Sequence, residues 1–289
     1  MDDHTIAMRD RADFRAARFK AFFSDMLAFL LGQRNDLLSY DEVREKLHIG
    51  GPIYRGMKTV QVEQIVGSVN RYRDFDRAFL PTQDHTADRW QKINRAFYKE
   101  VSLPPVMLYK VGDAYFVVDG NHRVSVAREK GQEFIDAEVR ECAVRVPFTP
   151  EVRPEDLEIL GERVNFLERT ALDKLRPGAE IEVTILGGYE RLLEHIAVHK
   201  CFMGIDWRRD IGDEEAVTHW YDTVYLPLVE AIHKTGVIER FPARIESDLY
   251  GWVIDHQHYL RESQPGITPE QAAEHFVKML GERKDLGIE

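Results

Sequence analysis

Three consecutive polar residues, Asn121, His122 and Arg123, follow an Asp119-Gly120 dipeptide in this chain of 289 residues. In that order they could hold an oxyanion. Tyr115 to Val118 are aromatic or β-branched and read as a buried strand, Asp119-Gly120 as a turn, and Asn121 onward as a helix with apolar residues at Val124, Val126 and Ala127. A helix that starts beside Gly120 leaves its first N–H groups without intrahelical acceptors and points the positive end of its dipole at the same spot. His122 and Arg123 add side-chain donors there. A strand, turn and helix is also an ordinary connection, but a purely structural helix start needs one capping residue rather than three polar ones. Asp119 has two readings, a general base or a residue that fixes the turn.

The elements that must position this segment can be followed along the chain. Apolar residues at helical spacing from 5 to 31 (Phe14, Ala17, Phe22, Met26, Phe29, Leu30) predict a first helix, and Ser39-x-x-Glu42 is a capping box opening a second that runs to Leu47. The His48-Ile-Gly-Gly-Pro52 segment ends that helical preface. Thr59 to Val62 reads as a strand, Glu63 to Val66 as a helical turn ending at Gly67, and Ala87 to Lys99 as a helix with Trp90, Ile93 and Phe97 on one face. Val106 to Val111 and Ala114 to Val118, joined by Gly112-Asp113, make a hairpin, and Phe134 to Arg140 follows as another strand. Pro147, Pro150 and Pro154 mark a boundary. The expected organisation is a helical extension at 1–49, a mixed domain at 50–147 and a mainly helical domain at 148–289, with a strand at Ile181 to Leu186.

Composition narrows the partners. The chain is 44% hydrophobic and 31% charged with a net charge of −11, the balance of a globular protein long enough for two domains. No apolar run of about eighteen residues and no secretory pattern is seen, so a soluble, cytoplasmic protein without a membrane partner is expected. Cys142 and Cys201 form neither a CxxC pair nor a disulfide framework. Residues 1–150 carry 23 basic and 22 acidic side chains, whereas 151–289 carry 16 and 28. Within 70–99, seven basic residues (Arg71, Arg73, Arg77, Arg89, Lys92, Arg95, Lys99) face four acidic ones, too few for a duplex footprint. A small anion fits better than long nucleic acid.

The order of these elements and the Asp119-Gly120-Asn121-His122-Arg123 segment resemble the fold shared by ParB-type chromosome-partition proteins, sulfiredoxins and archaeal free serine kinases, over about residues 55–142. Asn70-x-x-Arg73-x-Phe75-Asp76 is similar to the segment after the first strand of ParB-like domains, and Pro105-Val106 to their strand entering the hairpin. The resemblance implies an α+β, ParB/sulfiredoxin-like fold. It also implies nucleotide phosphates at Gly120, Asn121, His122 and Arg123, with Arg71 or Arg73 opposite. The reactive cysteine of sulfiredoxins falls at Asn121, which has no thiolate chemistry. ParB has Glu and Arg where this chain has Asn121 and His122, and the serine kinases, with Asp-Gly-His-His-Arg, come closest. Their catalytic glutamate lies in a loop corresponding to Gly67–Asn70, where no carboxylate occurs. Asp119 and His122 therefore stand as the catalytic candidates, with Glu63, Asp74 and Asp76 behind them as bases.

In the C-terminal half, Glu190 to Phe202 reads as a helix bearing Glu194, His195 and His199. The order is not HExxH, and no metal is assigned, although Asp206 and His219 could complete a site if folded nearby. Trp220, Tyr221, Tyr225, Tyr250, Trp252 and Tyr259 read first as core, and otherwise as a pocket or a homo-oligomer interface. The expected function is binding of a nucleotide or another phosphorylated small molecule at 119–123. A nucleotide triphosphate or diphosphate with Mg would be the cofactor, and NTP hydrolysis or phosphoryl transfer the associated chemistry. The alternative is a non-enzymatic, DNA-associated ParB-like regulator; a nuclease ranks below it, for want of clustered carboxylates.

Overall fold

A computed structural model describes residues 3–261, 263–264 and 266–285. The chain divides into two compact units, Met1–Leu160 and Gly161–Glu289. The fold is α+β. In the first unit the elements run α1 (Asp3–Leu30), β1 (Leu38–Ser39), α2 (Tyr40–Lys46), β2 (Ile53–Gln61), β3 (Ile65–Ser68), α3 (Ala87–Tyr98), β4 (Val106–Val111), β5 (Ala114–Asp119), α4 (Asn121–Glu129) and β6 (Phe134–Cys142). The six strands form one mixed sheet in the order β1-β3-β5-β4-β6-β2. The hairpin expected from Gly112-Asp113 is present, with Val111 opposite Ala114. β6 lies parallel to β4 on its other side, so α4 is the crossover that carries the chain from β5 past β4 to β6.

Helix α4 is held on two sides. Val124 and Ala127 join Val106, Leu108, Val117 and Val139 in the sheet core. Val126 instead packs with Trp90, Phe14 and Ala17, which come from α3 and α1. The Trp90 indole N–H donates to Ser125 Oγ at 2.9 Å inside this contact. Toward the C-terminal ends of α3 and α4, Asp13 accepts from Asn94, Tyr98 and Lys130 at 3.0, 2.6 and 2.7 Å. Burial raises the Asp13 pKa, but these bonds outweigh it and the net shift is downward. Helix α2 starts as the sequence predicts, Ser39 Oγ accepting from the Glu42 amide at 3.4 Å.

The 63–66 segment differs from expectation. A single 3₁₀ turn covers Val62–Gln64, and Ile65–Ser68 is a fully buried strand parallel to β5, with Gly67 opposite Phe116. Tertiary pairing overrides the local helix signal, because Ile65 and Val66 are β-branched and have a partner on the sheet. Gly67 does not end an element; it lets β1 approach. A Cβ there would lie 2.4 Å from the Leu38 carbonyl oxygen and 2.5 Å from the Phe116 ring.

In the second unit, reached through α5 (Leu157–Thr170), the helices are α6 (Leu172–Leu175), α7 (Gly188–Trp207), α8 (Asp213–Trp220), α9 (Leu226–Lys234), α10 (Glu246–Arg261) and α11 (Pro269–Asp285). The strand expected at Ile181 to Leu186 is absent. Side chains satisfy this backbone instead of a ladder: Thr184 N–H donates to Asp248 Oδ1 at 2.9 Å, and the Ile181 carbonyl accepts from the Tyr189 hydroxyl at 2.9 Å. Trp220, Tyr225 and Tyr250 are core residues, the Trp220 indole N–H donating to the Tyr250 hydroxyl at 3.0 Å. Between α8 and α9 a π-helical turn spans Tyr221–Tyr225. Pro227, which has no N–H for the next helical bond, follows it.

Gly67→Ala is expected to lower stability by about 1–3 kcal/mol, because the added methyl must push β1 or the Phe116 ring aside. Urea unfolding followed by circular dichroism measures this, and an unchanged midpoint would contradict the close approach.

Candidate functional site

The sequence carries the chain out of β5 through Gly120 in a left-handed conformation, φ 109°, which only glycine adopts without strain. Space excludes a side chain as well. A Cβ at Gly120 would sit 2.6 Å from Val106 Cγ1 and 3.1 Å from the Arg123 guanidinium. Helix α4 then begins with no side-chain cap. The Gly120 carbonyl accepts from the amides of Arg123 and Val124 at 2.8 and 3.0 Å. The amides of Asn121 and His122, as the first helical donors, have no intrahelical acceptor.

These amides border a cavity of about 220 Å³ lined by Asn70, Arg71, Arg89, Ile93 and residues Val118 to Arg123. Asn121 and His122 are each only 6% exposed. Asn121 Oδ1 and His122 Nδ1 are buried without a hydrogen-bond partner. Two unmet polar atoms in one helical turn cost on the order of 1–3 kcal/mol each. The His122 ring stands edge-on to Phe75 with centroids 5.3 Å apart. Burial, with Arg71 and Arg89 adding to it, pushes its pKa down to about 4, so at neutral pH the imidazole is uncharged.

Arg123 has a different place from the one its sequence position suggests. Its Nη1 donates to the carbonyls of Pro104 and Pro105, the latter at 2.8 Å, and its Nη2 to Asp119 Oδ2 at 2.5 Å. It thereby folds back over Gly120 and ties the helix start to the loop before β4. Asp119, whose side chain is 63% exposed, is the only carboxylate among the lining residues and is engaged by this arginine.

The opposite wall supplies the outward charge. The Ser68 hydroxyl, donating to the Val117 carbonyl at 3.3 Å, accepts from the Arg71 amide at 3.2 Å and sets where that residue leaves the sheet. The Arg71 guanidinium donates to Asp74 at 2.8 Å, and His85 Nε2 lies 3.4 Å from the same carboxylate. Arg89 projects from α3 one residue before the buried Trp90, so the lock between Trp90 and Ser125 also places Arg89.

The structure thus brings together Asp119, Gly120, Asn121, His122, Arg123 and Arg71. Arg73 lies elsewhere: its guanidinium is 5.4 Å from the Tyr72 ring centroid, and the residue lines a separate cavity with Arg34, Asp36 and Ser39. Of the reserve bases, Asp74 reaches the site through Arg71. Asp76 is 1% exposed and accepts from the Leu80 amide at 2.8 Å, with its pKa raised by burial to about 6, and Glu63 lines a cavity beside Arg128. Asn70 and Arg89 were not assigned to the site from sequence. The signal for Arg89 was its position beside the apolar face of α3 within the basic 70–99 segment.

In the second unit His199 and His219 face each other, Nε2 to Nδ1 at 2.8 Å with rings stacked at 5.0 Å. His195 is instead 3.9 Å from Asp255. Among the described residues, no group of three His, Cys, Asp or Glu side chains is placed to hold a metal ion. No helix among them is long and apolar enough to cross a membrane.

No family model and no curated protein matches the chain. Among solved structures it is similar to the C-terminally truncated chromosome-partitioning protein ParB from Caulobacter crescentus complexed with CTP-γ-S, at 12% identity over 77% of this chain and 99% of that one, with a TM-score of 0.24. It is also similar to a Pnob8-like ParB-N domain, at 12% identity over 83% of this chain and 84% of that one, with a TM-score of 0.22. At such scores the likeness carries no weight for function.

His122 is expected to titrate near pH 4 instead of its ordinary value near 6.5, read from its ring protons by NMR. The unfolded chain takes up this proton near pH 6.5 and the folded chain only near 4. The stability linked to His122 is therefore complete above pH 6.5 and is lost as pH falls toward 4. His122→Gln should weaken the fall in stability between pH 7 and pH 5 relative to the parent protein; an identical fall in both would show that His122 is not held neutral.

Proposed function

We propose that the cavity at the start of α4 binds the phosphate groups of a nucleotide or of another phosphorylated small molecule. The observation that carries this reading is the uncapped α4 N-terminus opening, between Arg71 and Arg89, onto a small polar cavity in which Asn121 and His122 are buried with unmet hydrogen-bonding atoms. Free amides, the helix dipole and two arginines all favour an anion, and a phosphate hydroxyl or a sugar hydroxyl would supply the donor that Asn121 Oδ1 lacks.

The division of roles follows from the contacts. Arg71 and Arg89, which line the cavity, neutralise the ligand's charge. Arg123 is a positioning residue that holds Gly120 and the loop at Pro104-Pro105. A volume of about 220 Å³ lies below the range of about 300–1,000 Å³ usual for whole drug-sized ligands. It suits one or two phosphates, and a nucleoside attached to them would lie outside. Selectivity for the base is then expected to be weak.

If hydrolysis or phosphoryl transfer occurs here, His122 is the group suited to accept a proton, being neutral and at the phosphate end of the cavity. Asp119 is tied to Arg123 and less suited. A single engaged carboxylate does not make a protein cage for Mg²⁺, which would have to arrive on the polyphosphate itself.

Thermal unfolding with ATP, ADP, CTP, GTP and inorganic pyrophosphate tests the assignment. Stabilisation of the parent protein, similar in size across the bases, is expected, and Arg89→Ala together with Arg71→Ala should remove it while leaving the unliganded midpoint nearly unchanged. A stabilisation that survives both substitutions would place the binding elsewhere. Binding should also draw a proton toward His122, because an adjacent dianion raises its pKa. Calorimetry at pH 6 in buffers of different ionisation enthalpy should therefore show net proton uptake that His122→Gln abolishes.

A further inference from the structure

The second half of α1 is exposed where its sequence is most apolar. Phe19, Phe22, Phe23 and Phe29 are 67%, 65%, 53% and 83% exposed, and Met26 and Leu30 are 40% and 70% exposed. At about 100° per residue these six side chains fall within an arc of about 120° on one side of the helix. The other side is clamped to its own unit. Ala17 and Ala21 are buried there, Ser24 and Asp25 accept from the Asn35 amide at 3.1 and 2.6 Å, and Lys20 pairs with Glu129 at 2.8 Å. The helix is therefore fixed with its small and polar side inward and its large apolar side outward.

The size of this face is informative. With about 200 Å² for each aromatic side chain, the four phenylalanines alone leave on the order of 500 Å² uncovered. Met26, Leu30 and the adjoining leucines carry the face beyond the roughly 300–600 Å² of the largest patch on a typical monomer, toward the about 800 Å² per partner of a stable interface. Its chemistry selects the occupant. The strip has no charged side chain, so its complement must be apolar too, and a twofold contact meets that condition by setting the strip against its own copy. The bordering Arg18 and Lys20 are already paired with Asp84 and Glu129, and a lipid surface is the other occupant that the test must separate. We propose that the Phe19–Leu30 face of α1 is where two copies of this chain associate.

Sedimentation velocity of the full chain across the micromolar range tests this. A dimer is expected, and Phe22→Glu combined with Phe29→Glu should weaken it by more than about tenfold while circular dichroism stays unchanged. A nitroxide at Leu31→Cys in a Cys201→Ser background should show dipolar coupling between chains, which keeps the test decisive should the double variant misfold. A monomer throughout the range, a dimer insensitive to the two substitutions, or absence of coupling in a dimer would overturn the proposal. So would sedimentation of a monomeric chain with phosphatidylcholine or phosphatidylserine vesicles, which would assign the face to lipid.

Discussion

The left-handed backbone at Gly120 is the constraint on which the site depends. It turns the chain from β5 into α4 within one residue, in a space already closed by Val106 on one side and the Arg123 guanidinium on the other. No side chain can stand there, so the helix begins without the usual Ser, Thr, Asp or Asn cap. The donors that a cap would satisfy remain directed at the cavity. A fold that only needed to connect a strand to a helix would have little reason to leave them unmet.

Everything else around the cavity holds that opening in place. The sheet fixes one side of α4 through Val124 and Ala127, and Trp90 fixes the other through Val126 and Ser125. Because Arg89 adjoins Trp90 and Arg71 is set by Ser68, the two cationic side chains are placed by the same packing that places the helix start. The arginines divide between interior and exterior tasks. Arg123 and Arg128 donate to main-chain carbonyls, Arg128 to those of Val62, Glu63 and Ile65, while Arg71 and Arg89 remain at the cavity. Sequence counting treats such residues alike, but a guanidinium already bound to carbonyls contributes little to holding a ligand.

The second unit follows a different plan. Its aromatic residues interlock, with Trp220 and Tyr225 centroids 5.2 Å apart and the Tyr225 hydroxyl 2.7 Å from Ser247 Oγ. Four of its histidines pair with one another, His256 with His275 at 2.8 Å as well as His199 with His219. His199 Nε2, which the spacing pairs with His195, thus meets His219, whereas His195 Nδ1 is buried without a hydrogen-bond partner.

Local pattern alone determined the hairpin at 106–119, the capped helix at Ser39, α3, and the strand, glycine and helix of the candidate site. Each rests on contacts between residues near in sequence: turn chemistry, capping, and periods of two and 3.6. The mixed fold class was legible for the same reason. Only the tertiary structure decided that Ile65–Ser68 is a strand and 181–186 is not, since a strand exists when a partner pairs with it and Asp248 replaced that partner in the second case. It likewise decided that Arg89 joins the cavity, that Arg73 leaves it, and that Arg123 turns inward. The type of a side chain is written in the sequence, but its direction and unmet bonds depend on distant groups such as Pro104, Trp90 and Ser125, which only folding brings near.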